Sequence, residues 1–206
     1  MDDFSSKAYW ENRYSKGKNS GAGSYNRLAE YKAEVINGFV KEKGIHKVVE
    51  WGCGDGNQLI YMHYDEYLGL DVSSTAIEIC KNKFSEDPTK HFVLINDDLQ
   101  LSRGYDLALS LDVIFHLTED AVFKKYISDL FSVSNKYVCI YSSNYEEKTK
   151  PFIFARHVRH REFTVYVSEA IKDFELIAHI KNRYPYNILD RKNTSFADFY
   201  FYLKKT

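Results

Sequence analysis

A glycine-rich turn between residues 50 and 56 is the part of this sequence best suited to bind a ligand. The apolar pair Val48-Val49 precedes Glu50, and glycines follow at positions 52, 54 and 56. Glycine has no Cβ, so a turn of this kind after a buried strand lets the backbone approach a ligand closely. A second acid, Asp71, ends another apolar run, at the place where doubly wound folds put a carboxylate that binds a ribose. The pattern predicts a cofactor that contains a ribose.

The spacing E-x-G-x-G-x-G resembles the cofactor motif of class I S-adenosylmethionine-dependent methyltransferases. It is not the G-x-G-x-x-G spacing of dinucleotide-binding enzymes. The resemblance is strong over residues 45 to 142. It implies that Glu50 supports the methionine portion of the cofactor and that Asp71 holds the ribose hydroxyls. Gly52 and Gly54 would form the turn beneath it. The alternatives are a structural turn in an unrelated α/β protein and, for Asp71, an N-cap of the following helix.

Other cofactor contacts are implied by position within the same family. Val72 follows the ribose acid and would pack on the adenine. Asp98 and Leu99 come after the third strand and would lie near the adenine amino group, although the adjacent Asp97 fits the same role. Leu111 ends the fourth strand, at the edge of the sheet that faces the reactive end of the cofactor.

The segment around Tyr9, Trp10 and Arg13 resembles the lid that precedes the core in many of these enzymes. The two aromatic rings would close over the sulfonium, which favours aromatic faces. Arg13 would meet the carboxylate of the cofactor or the acceptor. The alternative is a helix that packs its aromatic side chains on the core.

His116 is the candidate general base. It follows the fourth strand in the run Ser110–Leu117, which resembles a subgroup of bacterial and phage methyltransferases with an aspartate, apolar residues and a histidine there. Imidazole titrates near neutral pH, so it is suited to accept a proton from an acceptor hydroxyl. The alternative is a packed histidine that bonds a loop carbonyl.

Five basic or titratable side chains lie within six positions after the fifth strand. They are Arg156, His157, Arg159, His160 and Arg161. The planar guanidinium group of arginine can donate two parallel hydrogen bonds to a phosphate or carboxylate, so the segment predicts an anionic acceptor. The alternative is a solvated charged face. The two histidines lack obvious further ligands, so no metal is predicted.

Strands alternate with helices along the chain and position these groups. The predicted strands are 47–51, 66–71, 91–95, 106–111, 137–142, 175–180 and 196–203. A helix through Leu28 and Val40 ends at Gly44, a second covers 74–84, and Thr118 is predicted to cap a third. Alternation predicts an α/β, doubly wound, mostly parallel sheet, and the resemblance implies seven strands closed by a C-terminal antiparallel hairpin strand.

We predict one domain over residues 1–206, because this length accommodates a single full core. Its parts are an N-terminal lid and helix (1–44), a cofactor-binding core (45–142), an acceptor-binding insertion (143–172) and closing strands (173–206).

Composition indicates the class of protein, its compartment and the partners it can have. The chain is 44% hydrophobic and 28% charged, which is typical of a soluble globular protein. We predict no membrane partner, because no apolar run approaches a membrane span and the N-terminus is acidic and polar. The odd number of cysteines, three, predicts a reducing cytoplasm rather than a disulfide framework. A net charge of −1 gives no steering toward nucleic acid, and no oligomeric state is predicted.

The sequence thus predicts methyl transfer from S-adenosyl-L-methionine, with S-adenosyl-L-homocysteine as product, to a small anionic acceptor. The subgroup resemblance suggests surface-glycan or related pathways. A nicotinamide-dependent oxidoreductase, a non-catalytic cofactor-binding module and a nucleic-acid methyltransferase are the rival interpretations. The last lacks an N/D-P-P-Y/F tetrad.

Overall fold

One mixed sheet runs through the protein. The structure is a computed structural model that describes residues 4–96, 99–146 and 157–206. Within these residues the strands β1 to β7 are Lys47–Trp51, Glu66–Asp71, Lys90–Leu94, Tyr105–Leu111, Ser134–Ser142, Phe174–Ile180 and Asp198–Lys204. Their order is β3-β2-β1-β4-β5-β7-β6, with β1 to β5 parallel and β7 antiparallel to both neighbours. The predicted fold class is confirmed.

Helices cover both faces of this sheet. Helices α1 to α5 are Ser6–Ser15, Asn26–Lys43, Ser74–Lys83, Asp120–Ser132 and Phe163–Ala170. The predicted stop after α2 is confirmed, because Gly44 adopts a left-handed conformation with φ of 59°. Among the described residues, no helix is both long and apolar enough to cross a membrane.

The N-terminus of α4 differs from the prediction. Its N-cap residue is Glu119 rather than Thr118, and no side chain caps the helix there. The Glu119 carboxylate instead accepts hydrogen bonds from the backbone N–H and hydroxyl of Ser6, at 2.9 and 3.2 Å. The Glu119 side chain is therefore engaged in a tertiary contact with α1 and does not cap α4.

The two faces of the sheet carry separate apolar layers. Alternating residues of β1 divide between them: Val48 packs on the layer with α2 and α3, whereas Val49 packs on the layer with α4 and α5. The strand order reverses between β1 and β4, since β2 and β5 lie on opposite sides of this pair. In open α/β sheets, ligands bind beyond the carboxyl ends of the strands at such a switch point.

Candidate active site

A cavity of about 440 Å³ opens at this switch point. Its size lies within the ordinary range for small-molecule sites. The glycine turn, the ends of β2 and β4, and helices α1 and α4 contribute to its walls. Many of the residues singled out from the sequence line it: Trp10, Glu50, Gly52, Gly54, Asp71, Val72, Leu99, Leu111 and His116.

The glycine turn is held against β2 by backbone hydrogen bonds. The N–H groups of Gly52 and Cys53 both donate to the carbonyl of Leu70, at 2.7 and 3.0 Å. Gly52 has a φ of 84°, and a Cβ at this position would lie 2.5 Å from Cγ2 of Val113. Both the conformation and the space therefore require glycine, so the turn brings bare backbone to the cavity wall.

Asp71 joins the two halves of the cofactor motif. One carboxylate oxygen accepts from the N–H of Gly54 and the other from the N–H of Ser73, both at 2.9 Å. The N-cap of α3 is Ser73, whose hydroxyl accepts from Ala76, so Asp71 is not the cap. Burial raises the pKa of Asp71 to about 6, against the lowering effect of these backbone bonds. The backbone N–H of Val72 also bonds this carboxylate, and lone pairs that these bonds do not use are available to a ligand hydroxyl.

Two further acceptor groups are buried in the cavity wall. Glu50 accepts a hydrogen bond from the hydroxyl of Tyr67 at 2.6 Å, and burial raises its pKa to about 7. Gln58 donates its amide N–H to the carbonyl of Ala29, at 2.9 Å. Its buried Oε1 has no hydrogen-bond partner within the described part of the chain. An orphaned acceptor and a carboxylate in the wall of one cavity fit the amino group of a bound methionine moiety.

His116 ends a short turn, Ile114–His116, that follows β4. Its Nδ1 lies 2.8 Å from the carbonyl oxygen of His157. A carbonyl can only accept, so Nδ1 carries the proton and Nε2 keeps its lone pair. Burial lowers the pKa of His116 to about 4, so the ring is neutral at pH 7. The ring bonds a loop carbonyl, as expected of a packed histidine. It also lines the cavity, as a general base would have to.

Helix α1 lies across the cavity between α4 and α3. At its start, Ser6 donates to Glu119 as described above. At its middle, the Glu11 carboxylate accepts from the hydroxyls of Ser73 and Thr75, at 2.7 and 2.5 Å. The helix is thus anchored at both sides of the site, as a lid would be.

The three lid residues differ in where they lie. Trp10 lines the cavity and meets the His116 ring edge to face, with centroids 4.9 Å apart. Tyr9 lies outside the cavity wall and stacks on His157 at 4.3 Å. Arg13 is also outside: its Nε donates to the carbonyl of Asn19 at 2.6 Å. The structure thus does not place Tyr9 and Arg13 where they would contact a ligand in the cavity.

The described part of the basic segment, residues 157–161, does not line the cavity. The guanidinium of Arg161 donates to the carbonyls of Leu117 and Thr118, at 2.6 and 2.9 Å. That of Arg159 donates to the carbonyl of Thr118 at 3.1 Å, and both arginines pair with Asp120. The terminal nitrogens that make these bonds are occupied by the protein, so this arrangement does not support the prediction that the two arginines bind an anionic acceptor.

The other members of that segment are equally occupied or lie outside the described residues. His160 is 3% exposed, and its Nδ1 lies 2.6 Å from the hydroxyl of Ser143. Burial lowers the pKa of His160 to about 4 and also lowers that of His157. In the described residues, no three metal-ligating side chains converge. Arg156, Asp97 and Asp98 lie outside the residues that the structure describes.

One pair at the site was missed from the sequence. Asp112 lines the cavity in a left-handed conformation with φ of 60°, and its Oδ2 lies 2.7 Å from Nζ of Lys32. The Lys32 side chain is fully buried. A Cβ at Gly23 would lie 2.5 Å from the same oxygen, which explains the glycine. Nothing in the local pattern connects a lysine on α2 with an acid 80 residues later.

We expect Lys32→Met to lower the free energy of unfolding by about 2 kcal/mol or more, because it leaves the Asp112 carboxylate without its counter-ion in a mostly buried position. Urea denaturation of the two proteins measures this difference. The control is the double variant Lys32→Met with Asp112→Asn, which removes both charges and should recover most of the loss. A single variant as stable as the wild type would contradict the role of the pair.

Comparisons with known proteins agree with this fold. Residues 48–136 match the model of a family described as a methyltransferase domain. No curated protein matches the sequence. Solved structures with the same fold include the N-methyltransferase NodS from Bradyrhizobium japonicum WM9 in complex with S-adenosyl-L-homocysteine, with a TM-score of 0.75 and 10% identity over 98% of this chain and 99% of that one.

Two further solved structures are similar. Magnesium protoporphyrin IX methyltransferase from Synechocystis PCC 6803, with bound S-adenosylmethionine, has a TM-score of 0.67 and 14% identity over all of both chains. The methyltransferase domain of the bacterial protein CtHen1-C has a TM-score of 0.65 and 19% identity, over 87% of this chain and 100% of that one. At these identities the likeness concerns the fold, whereas the family match concerns the sequence. The sequence match over residues 48–136 and the shared fold together support an S-adenosylmethionine-dependent methyltransferase.

Proposed function

We propose that this methyltransferase acts on a hydroxyl group of a small acceptor, with Nε2 of His116 as the base. The observation that carries this proposal is the neutral imidazole at the cavity wall, whose Nδ1 proton is committed to the His157 carbonyl. Nε2 is then the ring atom with a free lone pair. A hydroxyl nucleophile benefits from a base, whereas an amine needs only to be held unprotonated.

The remaining cavity residues support the binding of the methyl donor. When bound, S-adenosylmethionine supplies a methyl group on a sulfonium whose leaving group departs neutral. Asp71 would accept hydrogen bonds from the ribose hydroxyls, and Glu50 and Gln58 would hold the methionine amino group. Trp10 presents an aromatic ring beside His116, where it would face the sulfonium. The anchored helix α1 would help to exclude water from the reacting groups.

We propose further that the acceptor is anionic, although Arg159 and Arg161 are not the groups that would bind it. Lys7 lines the cavity, so α1 presents one cation there. A phosphate or carboxylate would be attracted there.

The sequence resemblance adds surface-glycan synthesis as a setting. The three free thiols favour a cytoplasmic enzyme, and the net charge of −1 favours a small acceptor over nucleic acid.

A screen for release of S-adenosylhomocysteine tests this proposal. The panel pairs hydroxyl compounds with the matching amines, each with and without a phosphate or carboxylate group. We expect turnover with anionic hydroxyl compounds, and we expect it to be lost in His116→Ala. Turnover confined to amines, or turnover that does not depend on His116, would contradict the proposed base. Equal turnover of charged and neutral hydroxyl compounds would contradict only the anionic acceptor.

A further inference from the structure

The segment 157–161 packs against the loop that carries His116. The carbonyl of His157 accepts from Nδ1 of His116 at 2.8 Å. The backbone N–H of Arg159 donates to the carbonyl of Phe115, also at 2.8 Å. Two main-chain groups of this segment therefore hold the imidazole and the residue before it.

Arg161 holds Leu117, the residue after His116. Its guanidinium donates to the carbonyl of Leu117 at 2.6 Å and, with a second nitrogen, to that of Thr118 at 2.9 Å. The same nitrogen lies 3.2 Å from Oδ1 of Asp120, and the guanidinium carbon lies 4.7 Å from the centroid of the Phe123 ring. Only 10% of the Arg161 side chain is exposed. A planar fork with several fixed donors is suited to bridge two successive carbonyls, and a lysine is not.

Three successive residues of the loop are thus held from one segment. The carbonyls of Phe115 and Leu117 are fixed on either side, and the side chain of His116 is fixed between them. We propose that residues 157–161 are a positioning element that sets the place and the tautomer of His116, with Arg161 as its principal side chain. The catalytic consequence rests on the proposed role of His116 as base.

Two other roles for these arginines agree less well with the contacts. A solvated charged face would leave the side chains in water, but Arg161 is mostly buried and bonded to the backbone. An anion site would place cations together without acids. The surface depression beside them also contains acidic side chains: Asp120, Glu146, Glu162 and Glu169.

Nitrogen NMR of histidine-labelled protein reads the tautomer of His116 without any need for an acceptor. The protein has seven histidines, so the spectrum of His116→Ala assigns the signals. We expect wild-type His116 to be protonated at Nδ1 only. In Arg161→Ala the loop loses two of its anchors, so a population protonated at Nε2 should appear. Arg161→Lys should restore the wild-type signal in part.

With an acceptor from the screen, kcat of Arg161→Ala should fall about tenfold while its KM for S-adenosylmethionine stays unchanged.

Arg183→Ala is the matched control. It removes an exposed arginine that pairs with Glu34 and lies outside residues 157–161, so it should leave the His116 signals unchanged. If Arg161→Ala does not fold, Arg159→Ala removes a more exposed member of the element and should give a smaller change of the same kind. Wild-type His116 signals in folded Arg161→Ala, or in Arg159→Ala where the first variant does not fold, would overturn the proposal. A changed tautomer with unchanged kcat would instead uphold the positioning element and contradict the base.

Discussion

Replacing His116 with alanine is expected to lower kcat by about 10²-fold or more, because the acceptor hydroxyl loses the group that takes its proton. The affinity for S-adenosylhomocysteine should stay within about twofold of the wild type, since no cofactor contact is assigned to the imidazole. Steady-state kinetics with an acceptor from the screen gives the first quantity, and calorimetry gives the second.

His116→Asn is the matched control for this experiment. Its amide N–H can still donate to the His157 carbonyl, which Nδ1 reaches at 2.8 Å, but the side chain has no basic nitrogen. We therefore expect kcat to fall as far as in the alanine variant even where the loop is preserved. If asparagine retained the wild-type rate, His116 would be a structural residue and not a base.

Asp71→Ala should weaken the binding of S-adenosylhomocysteine by at least about tenfold, because two hydroxyl hydrogen bonds are lost at roughly 1 kcal/mol each. The same substitution also removes the acceptor for the N–H groups of Gly54 and Ser73, so the glycine turn loses support. Calorimetry at neutral pH measures the change. Affinity equal to that of the wild type would refute the assignment of the ribose to this carboxylate.

The pH dependence of binding gives a second test of Asp71. Burial raises its pKa to about 6 in the free protein, and hydrogen bonds from ribose hydroxyls favour the ionised form. Binding therefore requires loss of a proton below pH 6, so the dissociation constant should rise as the pH falls through 6. In Asp71→Asn this contribution should be missing. Because burial also raises the pKa of Glu50, to about 7, the comparison between the two proteins isolates Asp71.

The sequence predicted those parts of the site whose cause is local. The glycine spacing after Glu50 and the acid at the end of β2 reflect backbone conformation and strand alternation, which neighbouring residues determine. Helix α2 and its end at Gly44 follow from periodicity and a left-handed C-cap in the same way. These elements lie where they were predicted, and the glycine turn and Asp71 line the cavity.

The parts that were not predicted depend on contacts between distant residues. Arg159 and Arg161 appeared as a run of charge, but their direction is set by carbonyls of the loop after β4. Lys32 and Asp112 belong to different elements, and only packing brings them together. Charge in a sequence shows which groups are present, whereas their partners are decided by tertiary structure.

A crystal structure of the protein with S-adenosylhomocysteine would show whether the cavity binds the cofactor between Asp71 and His116. We expect both ribose hydroxyls to lie within hydrogen-bond distance of the Asp71 carboxylate. We also expect the sulfur on the side of the cavity where Trp10 and His116 are found. A ligand bound elsewhere, or one whose sulfur faces away from His116, would contradict both the assigned cofactor site and the proposed base.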